Sequence, residues 1–345
     1  MKAKAKAALR GMYPGSFAMV MATGIVSVAA NRLGFHGFAL ALLWGNVGLF
    51  ISLWALLVNR IVLFPVEVRS DIADHWKGAG FFTVPAACAV FGVQWLELVG
   101  GDSIGIALWW LALICWFIVT LTFFCSMIVG ENQVDIHYAI NGAWLTAVVA
   151  TQGLSVLVSF LAAKEIVDGT LGFFLATFFA GAGAMLYLML IASIFYRLVV
   201  HPVRAADFSA PYWVNMGAAM ITSLAFSKVS SIAPPDIQAS LKLLGTVVWS
   251  FGVWWIPILI ALGIWRHGYK RLPLKYDPRI WSLVFPLGMF TVSTHALYQV
   301  WQWHGFLSIA EVAIWVAVIA WCLLGFGLVK TAFHWLREKP EFDLV

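Results

Sequence analysis

The chain has 345 residues, of which 62% are hydrophobic and only 11% are charged. Because a soluble domain carries about 25% charged residues, this composition excludes a soluble protein and requires a surface that faces mainly lipid. The formal net charge of +5 is compatible with nucleic-acid binding, but its distribution along the chain fits membrane topology better. We therefore expect a lipid bilayer, and no nucleic acid, as partner.

Apolar stretches long enough to cross a membrane follow one another along the whole chain. A spanning helix needs about 20 apolar residues, and the links between these stretches are short. The sequence predicts an all-α polytopic membrane protein with a single transmembrane domain, 1–345, and short cytoplasmic tails at 1–12 and 334–345. The ten predicted helices, numbered in chain order, span residues 13–31, 38–58, 79–98, 104–128, 139–162, 170–196, 209–233, 237–265, 279–303 and 306–332.

The basic residues divide unequally between the two ends of these helices. With the N-terminus in the cytoplasm, 17 of the 21 Lys and Arg residues lie on the cytoplasmic side, and the other four are Arg32, Lys164, Lys228 and Lys242. This asymmetry obeys the positive-inside rule and predicts an inner or plasma membrane protein with both termini cytoplasmic. The basic start and first apolar run also resemble a signal peptide. Its removal would leave nine helices and would put the C-terminus on the side opposite to the one that the distribution of Lys and Arg indicates.

Odd- and even-numbered helices differ in their polar residues. Even helices are apolar almost all round, whereas odd helices carry small and polar residues at steps of three, four and seven, which place them on one helical face. Five odd helices inside five even ones would surround a narrow pore, although such stripes are equally typical of contacts between membrane helices. The predicted pore-lining residues are Ser16, Thr23, Ser27, Thr83, Asn141, Gln152, Ser155, Asn215, Thr222, Gly288, Val292, His295 and Gln299.

The sequence lacks the motifs of several enzyme classes. It contains neither a P-loop nor H-E-x-x-H, and its four cysteines form no C-x-x-C pair. Only His295 lies deep within a predicted span. We therefore expect no cofactor, no metal and no enzyme activity, with a membrane-embedded enzyme as the alternative of another class.

The charge pattern of the odd helices favours anions. Glu97 lies at the end of helix 3, and no other Asp or Glu falls within an odd span, whereas cation pathways usually carry carboxylates. Pro85 and Pro286 are predicted to break helices 3 and 9, and the helix N-termini created there would attract anions.

Short motifs on all five odd helices resemble the tellurite-resistance/C4-dicarboxylate transporter family, which includes malic acid transporters, sulfite efflux pumps and plant slow-type anion channels. Helix 1 carries YPGSFAMVMATGIVS at 13–27, and helix 3 carries FFTVP at 81–85. Helices 5, 7 and 9 carry NGAWL at 141–145, WVNMGA at 213–218 and FPLG at 285–288.

The resemblance implies five helical hairpins in a quasi-fivefold arrangement around a central pore, and a homotrimer in which each subunit has its own pore. It also implies that a phenylalanine of helix 9 plugs the pore. Phe285 matches that position, with Phe290 as the alternative, and Phe285 shares one helical face with Gly288, Val292 and His295. Ordinary packing of Phe285 remains a competing interpretation.

The implied function is transport of small anions. The implied substrates are C4-dicarboxylates such as malate, sulfite, halide or nitrate, and tellurite-like oxyanions. A proton-coupled dicarboxylate or sulfite carrier is the alternative, since His295 is the only titratable group deep on the face of helix 9.

Overall fold

The computed structural model describes residues 2–130, 134, 139–274 and 276–337, and in these residues the regular secondary structure is helical, without a strand. Ten long helices follow the order of the predicted spans, with bounds that differ by a few residues. They are α1 Ala18–Arg32, α2 His36–Leu63, α3 Thr83–Leu98, α4 Asp102–Val129, α5 Thr146–Ala163, α6 Gly169–Val200, α7 Val214–Ile232, α8 Pro235–Ile264, α9 Trp281–Trp301 and α10 His304–Arg337.

Nine of these helices, within the part of the chain that the structure describes, are long and apolar enough to cross a membrane by length and composition. The tenth is α7, whose 19 residues include Asn215, Lys228 and several serines. Two short helices, Lys2–Arg10 and Pro65–Ile72, were not predicted. The helix α10 continues to Arg337, so the predicted tail 334–345 begins inside it and ends outside the described residues.

Every odd helix begins with a 3₁₀ turn. Proline stands in the first positions of three of these turns, where its fixed φ and missing N–H suit a helix start. The side chains of Asn141 and Asp277 cap two turns by accepting hydrogen bonds from the backbone N–H of Ala143 (2.9 Å) and Arg279 (2.8 Å). The turns are Pro14–Phe17, Gly78–Phe82, Gly142–Leu145, Ala210–Trp213 and Pro278–Ile280.

Burial separates the odd helices from the even ones. In the most apolar part of each of α1, α3 and α5, 94% of the residues are buried. In the most apolar part of α9, 72% of the residues are buried. Most residues of α7 are also buried. The corresponding share for the even helices is only 11–44%. The expectation that odd helices lie inside and even ones outside is thus confirmed, and we refer to them as the core helices and the peripheral helices.

Contacts between the core helices follow a cyclic order. Each of α1, α3, α5, α7 and α9 packs against the next, and α9 packs against α1. Each peripheral helix packs against the core helix that precedes it in the chain and also contacts the next core helix of the cycle, which for α10 is α1. Every core helix therefore has two core neighbours and two peripheral neighbours, which accounts for its burial.

The two prolines predicted to break helices do not do so. Pro85 is the third residue of α3, where the backbone N–H has no partner within the helix in any case. The helix α9 continues through Pro286 to Trp301, because a membrane helix tolerates the loss of one internal hydrogen bond. Gly217 of α7 gives room to the proline ring, since a Cβ atom there would lie 2.7 Å from Pro286 Cγ.

Candidate functional site

Two small cavities are each lined by residues from all five core helices. The N-terminal cavity lies among the first turns of these helices, and the C-terminal cavity lies further along them. Each has a volume of about 20 Å³, which is room for roughly one water molecule.

The two cavities are lined in the same register on every core helix. The N-terminal cavity has one layer formed by Ala18, Thr83, Thr146, Val214 and Ser282. Ten residues later on each helix, the C-terminal cavity has a layer formed by Val28, Val93, Val156, Leu224 and Val292, which we call the valine layer. Ten residues correspond to about 15 Å of helix rise, so the cavities lie at two depths between the same five helices.

Phe285 belongs to the layer between the cavities. Three residues after the layer of the N-terminal cavity, the core helices carry Met21, Ala86, Val149, Gly217 and Phe285, all of them buried. Phe285 is the only aromatic residue among the five and is 2% exposed. Phe290 instead stacks on Trp249 of α8, with ring centroids 6.2 Å apart.

Several polar residues predicted to line a pore form hydrogen bonds with peripheral helices. Ser27 Oγ donates to the carbonyl of Ala39 in α2 (2.8 Å), and Ser155 Oγ donates to the carbonyl of Ala176 in α6 (2.7 Å). In the same way, Gln152 Nε2 donates to a carbonyl of α6 (3.1 Å), and Thr23 Oγ1 accepts from a tryptophan of α10 (3.0 Å). These are the interhelical contacts that the polar stripes left open as an alternative.

The remaining polar candidates bond within their own segments or occupy helix ends. Ser16 Oγ donates to a carbonyl of its own turn (2.6 Å), and Thr222 Oγ1 donates to one of its own helix (2.7 Å). Asn141 caps its turn. The side chain of Asn215 is the exception, since it is buried and its Oδ1 and Nδ2 atoms have no hydrogen-bond partner among the described residues. Gln299 is exposed near the end of α9.

Of three other members of the predicted set, two line the cavities and the third lies where two core helices meet. Thr83 lines the N-terminal cavity, and Val292 lines the C-terminal cavity. Gly288 allows α9 to approach α1 closely, since a Cβ atom there would lie 2.7 Å from Ile25 Cγ2. The cavity linings are otherwise mostly apolar or small residues, which sequence reasoning could not distinguish from ordinary packing.

Charged residues flank the pair of cavities. At the N-terminal cavity, Arg279 forms a salt bridge of 2.6 Å with Asp277. Burial raises the pKa of Asp277, but hydrogen bonds and charge from Arg279 outweigh this and hold the pKa below its usual value. At the other end, Arg32 lines the C-terminal cavity and pairs with Glu97. Sequence reasoning counted Arg32 only as a charge outside the membrane and missed this position.

His295 lies near the same end of the core, where its side chain is almost entirely enclosed. It is 8% exposed, and its Nδ1 atom has no hydrogen-bond partner among the residues that the structure describes. Its ring lies 6.0 Å from that of Tyr298, one turn further along α9.

Comparisons with known proteins agree with this architecture. The profile of the voltage-dependent anion channel family matches residues 11–329. An uncharacterized transporter of Methanocaldococcus jannaschii is 26% identical over 335 residues, which cover 94% of this chain and 93% of that protein. The sulfite efflux pump SSU1 of Arthroderma otae is 23% identical over 346 residues, which cover 91% and 90%.

A shorter match has higher identity. An uncharacterized membrane protein of Mycobacterium tuberculosis is 42% identical over 131 residues, which cover 37% of this chain and 66% of that protein. The family and its relatives with a stated role are channels, transporters and pumps rather than enzymes. The motifs on the odd helices and the match over nearly the whole chain lead to one conclusion, that this protein belongs to the voltage-dependent anion channel family, SLAC1.

Proposed function

We propose that the protein conducts small anions across a membrane, along a pathway between its five core helices that Phe285 closes in this conformation. The observation that carries the proposal is the pair of cavities lined in one register by all five core helices. In that register, the position of Phe285 falls between the two linings. The cyclic contacts of the core helices support a quasi-fivefold arrangement of five hairpins around this pathway.

The orientation of the core helices favours an anion. All five begin at the N-terminal cavity, and each helix N-terminus carries roughly half a positive charge from its aligned peptide dipoles. The residues that line the two cavities include arginines but no carboxylate. An anion in the N-terminal cavity would therefore lie in a positive potential.

The gate proposed at Phe285 acts by steric block and by excluding water. Its layer contains Ala86 and Gly217, so the phenyl ring is the bulkiest group there. A narrow apolar constriction can stop ions simply because it stays dry. Phe290 packs against α8, which makes it the weaker candidate for the gate.

The proposal is tested by comparing Phe285→Ala with Phe290→Ala in planar bilayers. Phe285→Ala should raise the chloride conductance well above that of the wild type, because it opens the layer between the cavities. Phe290→Ala is the matched control and should leave the conductance near the wild-type level. If Phe285→Ala folds and inserts normally but its currents equal those of the wild type, the gate is rejected.

The substrate class follows from the size of the cavities and from the relatives. Cavities with room for roughly one water molecule are closer in size to an ion of a few atoms, such as halide, nitrate or hydrogensulfite, than to malate. Several relatives are sulfite efflux pumps. Flux measurements over chloride, nitrate, sulfite and malate in proteoliposomes containing Phe285→Ala would rank these substrates, and a preference for malate would contradict the size argument.

A proton-coupled carrier is the second candidate. The observation that favours it is the buried His295, a titratable group whose Nδ1 has no described partner. Anion flux at equal pH on both sides supports the channel. Flux that requires a pH gradient and disappears in His295→Gln supports the carrier.

We extend the proposal to the assembly, which the family resemblance implies is a homotrimer with one pathway in each subunit. The supporting feature is the presence of a complete set of five core helices in a single chain, so that no pathway needs a second subunit. The mass of the protein in detergent, measured by native mass spectrometry, should correspond to three chains, and a monomeric mass would contradict the trimer.

A further inference from the structure

Four core helices place a distinctive residue one turn beyond the valine layer, four positions further along each helix. These residues are Arg32 of α1, Glu97 of α3, Phe160 of α5 and Lys228 of α7. Because the register is the same on every helix, the four residues surround the C-terminal end of the pathway at one depth. We call them the C-terminal cluster.

Arg32 and Glu97 form an ion pair across α1 and α3. Arg32 Nη2 binds Glu97 Oε1, and Arg32 Nε lies 3.2 Å from the same oxygen. Their side chains are only 8% and 12% exposed. This pair fixes the position of the guanidinium group at the edge of the C-terminal cavity, which Arg32 lines.

Phe160 holds a second cation beside the first. Its ring centroid lies 5.7 Å from the guanidinium carbon of Arg32 and 4.9 Å from Nζ of Lys228. Both distances are within the range of favourable cation–π contact. One aromatic ring therefore offsets part of the repulsion between the two cations.

One donor of this cluster is unused. Arg32 Nη1 is buried and has no hydrogen-bond partner among the described residues. A buried donor without a partner is costly, and a guanidinium N–H can be satisfied only by an acceptor. Arg32 also lines the C-terminal cavity, so an anion that entered this space and displaced the guanidinium group slightly could supply the acceptor that Nη1 lacks.

The charges of the cluster indicate the valence of the ligand. Arg32 and Lys228 are positive and Glu97 is negative, which leaves one net positive charge. The C-terminal ends of the core helices add partial negative charge at this end of the pathway, so an anion needs local cations to pass. Stabilisation of these helix ends could explain the presence of two cations, but it does not explain why Nη1 of Arg32 is buried without a partner among the described residues.

We propose that Arg32 and Lys228 form a binding site for a small monovalent anion at the C-terminal end of the pathway, with Glu97 and Phe160 as positioning residues. The site rests on the proposed conduction pathway and adds to it a second point of anion selection, 14 residues and about 21 Å of helix rise beyond the layer of the N-terminal cavity. A halide or another anion of a few atoms accepts from Arg32 Nη1 and is attracted by the Lys228 ammonium group.

The site is tested with bromide as the probe, on the full-length protein in detergent. The melting temperature is measured as bromide replaces gluconate at constant ionic strength. The wild type should show a saturable rise in melting temperature, because bromide binds the folded state. Lys228→Met and the charge-neutral double variant R32Q/E97Q should lose most of this rise, whereas Lys242→Met, which removes a lysine of α8 outside the cluster, should keep it.

Anomalous diffraction from bromide-soaked wild-type crystals gives an answer that does not depend on the folding of any variant. A peak beside Arg32 Nη1 and Lys228 Nζ supports the site. The site is overturned if bromide peaks appear only elsewhere in the crystal. It is also overturned if bromide does not raise the melting temperature of the wild type, or raises that of Lys228→Met by the same amount. None of these readouts measures flux, so bromide bound at the cluster together with absent currents in Phe285→Ala would reject conduction and leave the site standing.

Discussion

Neighbouring side chains of a core helix contact different partners. Ser155 of α5 donates a hydrogen bond of 2.7 Å to the carbonyl of Ala176 in α6. The next residue, Val156, lines the C-terminal cavity. A rotation of about 100° between consecutive helical residues is enough to turn one side chain to a peripheral helix and the other to the pathway.

This contrast predicts opposite effects for two adjacent substitutions made in the Phe285→Ala background. Ser155→Ala should lower stability by about 0.5–1.5 kcal/mol, because it removes a buried hydrogen bond, and should leave chloride flux unchanged. Val156→Thr keeps the shape of the side chain but places a hydroxyl at the cavity, so water enters more easily and flux should rise. The measurements are thermal unfolding in detergent and flux in proteoliposomes.

The opposite result would exchange the roles of the two residues. Loss of flux in Ser155→Ala at unchanged stability would place the hydroxyl in the pathway. Unaltered flux in Val156→Thr, with the variant correctly folded, would show that the C-terminal cavity does not limit permeation.

The residue scale also shows where sequence reasoning ends. Periodicity identifies the polar face of a core helix, but it does not say whether that face meets a peripheral helix or a pore. Thr23 and Ser27 share a face and both bond to peripheral helices, while the wall of the C-terminal cavity contains valines that resemble any packed core. Arg32 becomes a candidate site residue only when the core helices are aligned on the valine layer, because Glu97 and Lys228 then occupy the same position on α3 and α7.

At the scale of helices, the close approach of α7 and α9 supports the Phe285 layer. Gly217 of α7 faces Pro286 of α9, and a Cβ atom on Gly217 would lie 2.7 Å from the proline Cγ. The proline ring cannot rotate away, and its neighbour in the chain is Phe285. Any group larger than hydrogen at position 217 must therefore displace one of the two helices.

Gly217→Ala should accordingly destabilise the protein by roughly 1–3 kcal/mol, the usual cost of overpacking. The control is Gly181→Ala in α6, where, apart from its chain neighbours and nearby helix backbone, no atom of the described residues lies within 4 Å of the added methyl group. That substitution should be neutral or slightly stabilising, since alanine favours a helix interior by about 0.5–1 kcal/mol over glycine. Denaturation of both variants in detergent measures the difference, and equal stability would show that α9 moves freely against α7.

For the whole molecule, the sequence predicts the positions of the helices well, but it does not predict which helices pack against each other. Each span follows from the length of an apolar run, and the burial of the odd helices follows from their polar residues. The cyclic contacts, such as that between α9 and α1, join segments far apart in the chain, and no local pattern encodes them. The 3₁₀ turns depend on tertiary packing in the same way, apart from the prolines that begin several of them.

The ends of the described chain lie near the same end of the core. Arg10, just before the first 3₁₀ turn, forms a salt bridge of 2.6 Å with Glu67, which follows α2. Near the other terminus, Gly327 of α10 packs against Tyr276, just before α9. Both contacts lie at the N-terminal ends of core helices, and most lysines and arginines of the links are at this end.

The positive-inside rule then predicts that this end faces the cytoplasm, which places the N-terminal cavity and Arg279 inside and the C-terminal cluster outside. Alkaline phosphatase, which is active only after export, should be inactive when fused after residue 345 and active when inserted in the link at 233–234 between α7 and α8. Green fluorescent protein, which fluoresces in the cytoplasm, should give the reverse pattern. If both reporters gave the opposite result, the orientation would be inverted, and an entering external anion would meet the helix N-termini before Arg32 and Lys228.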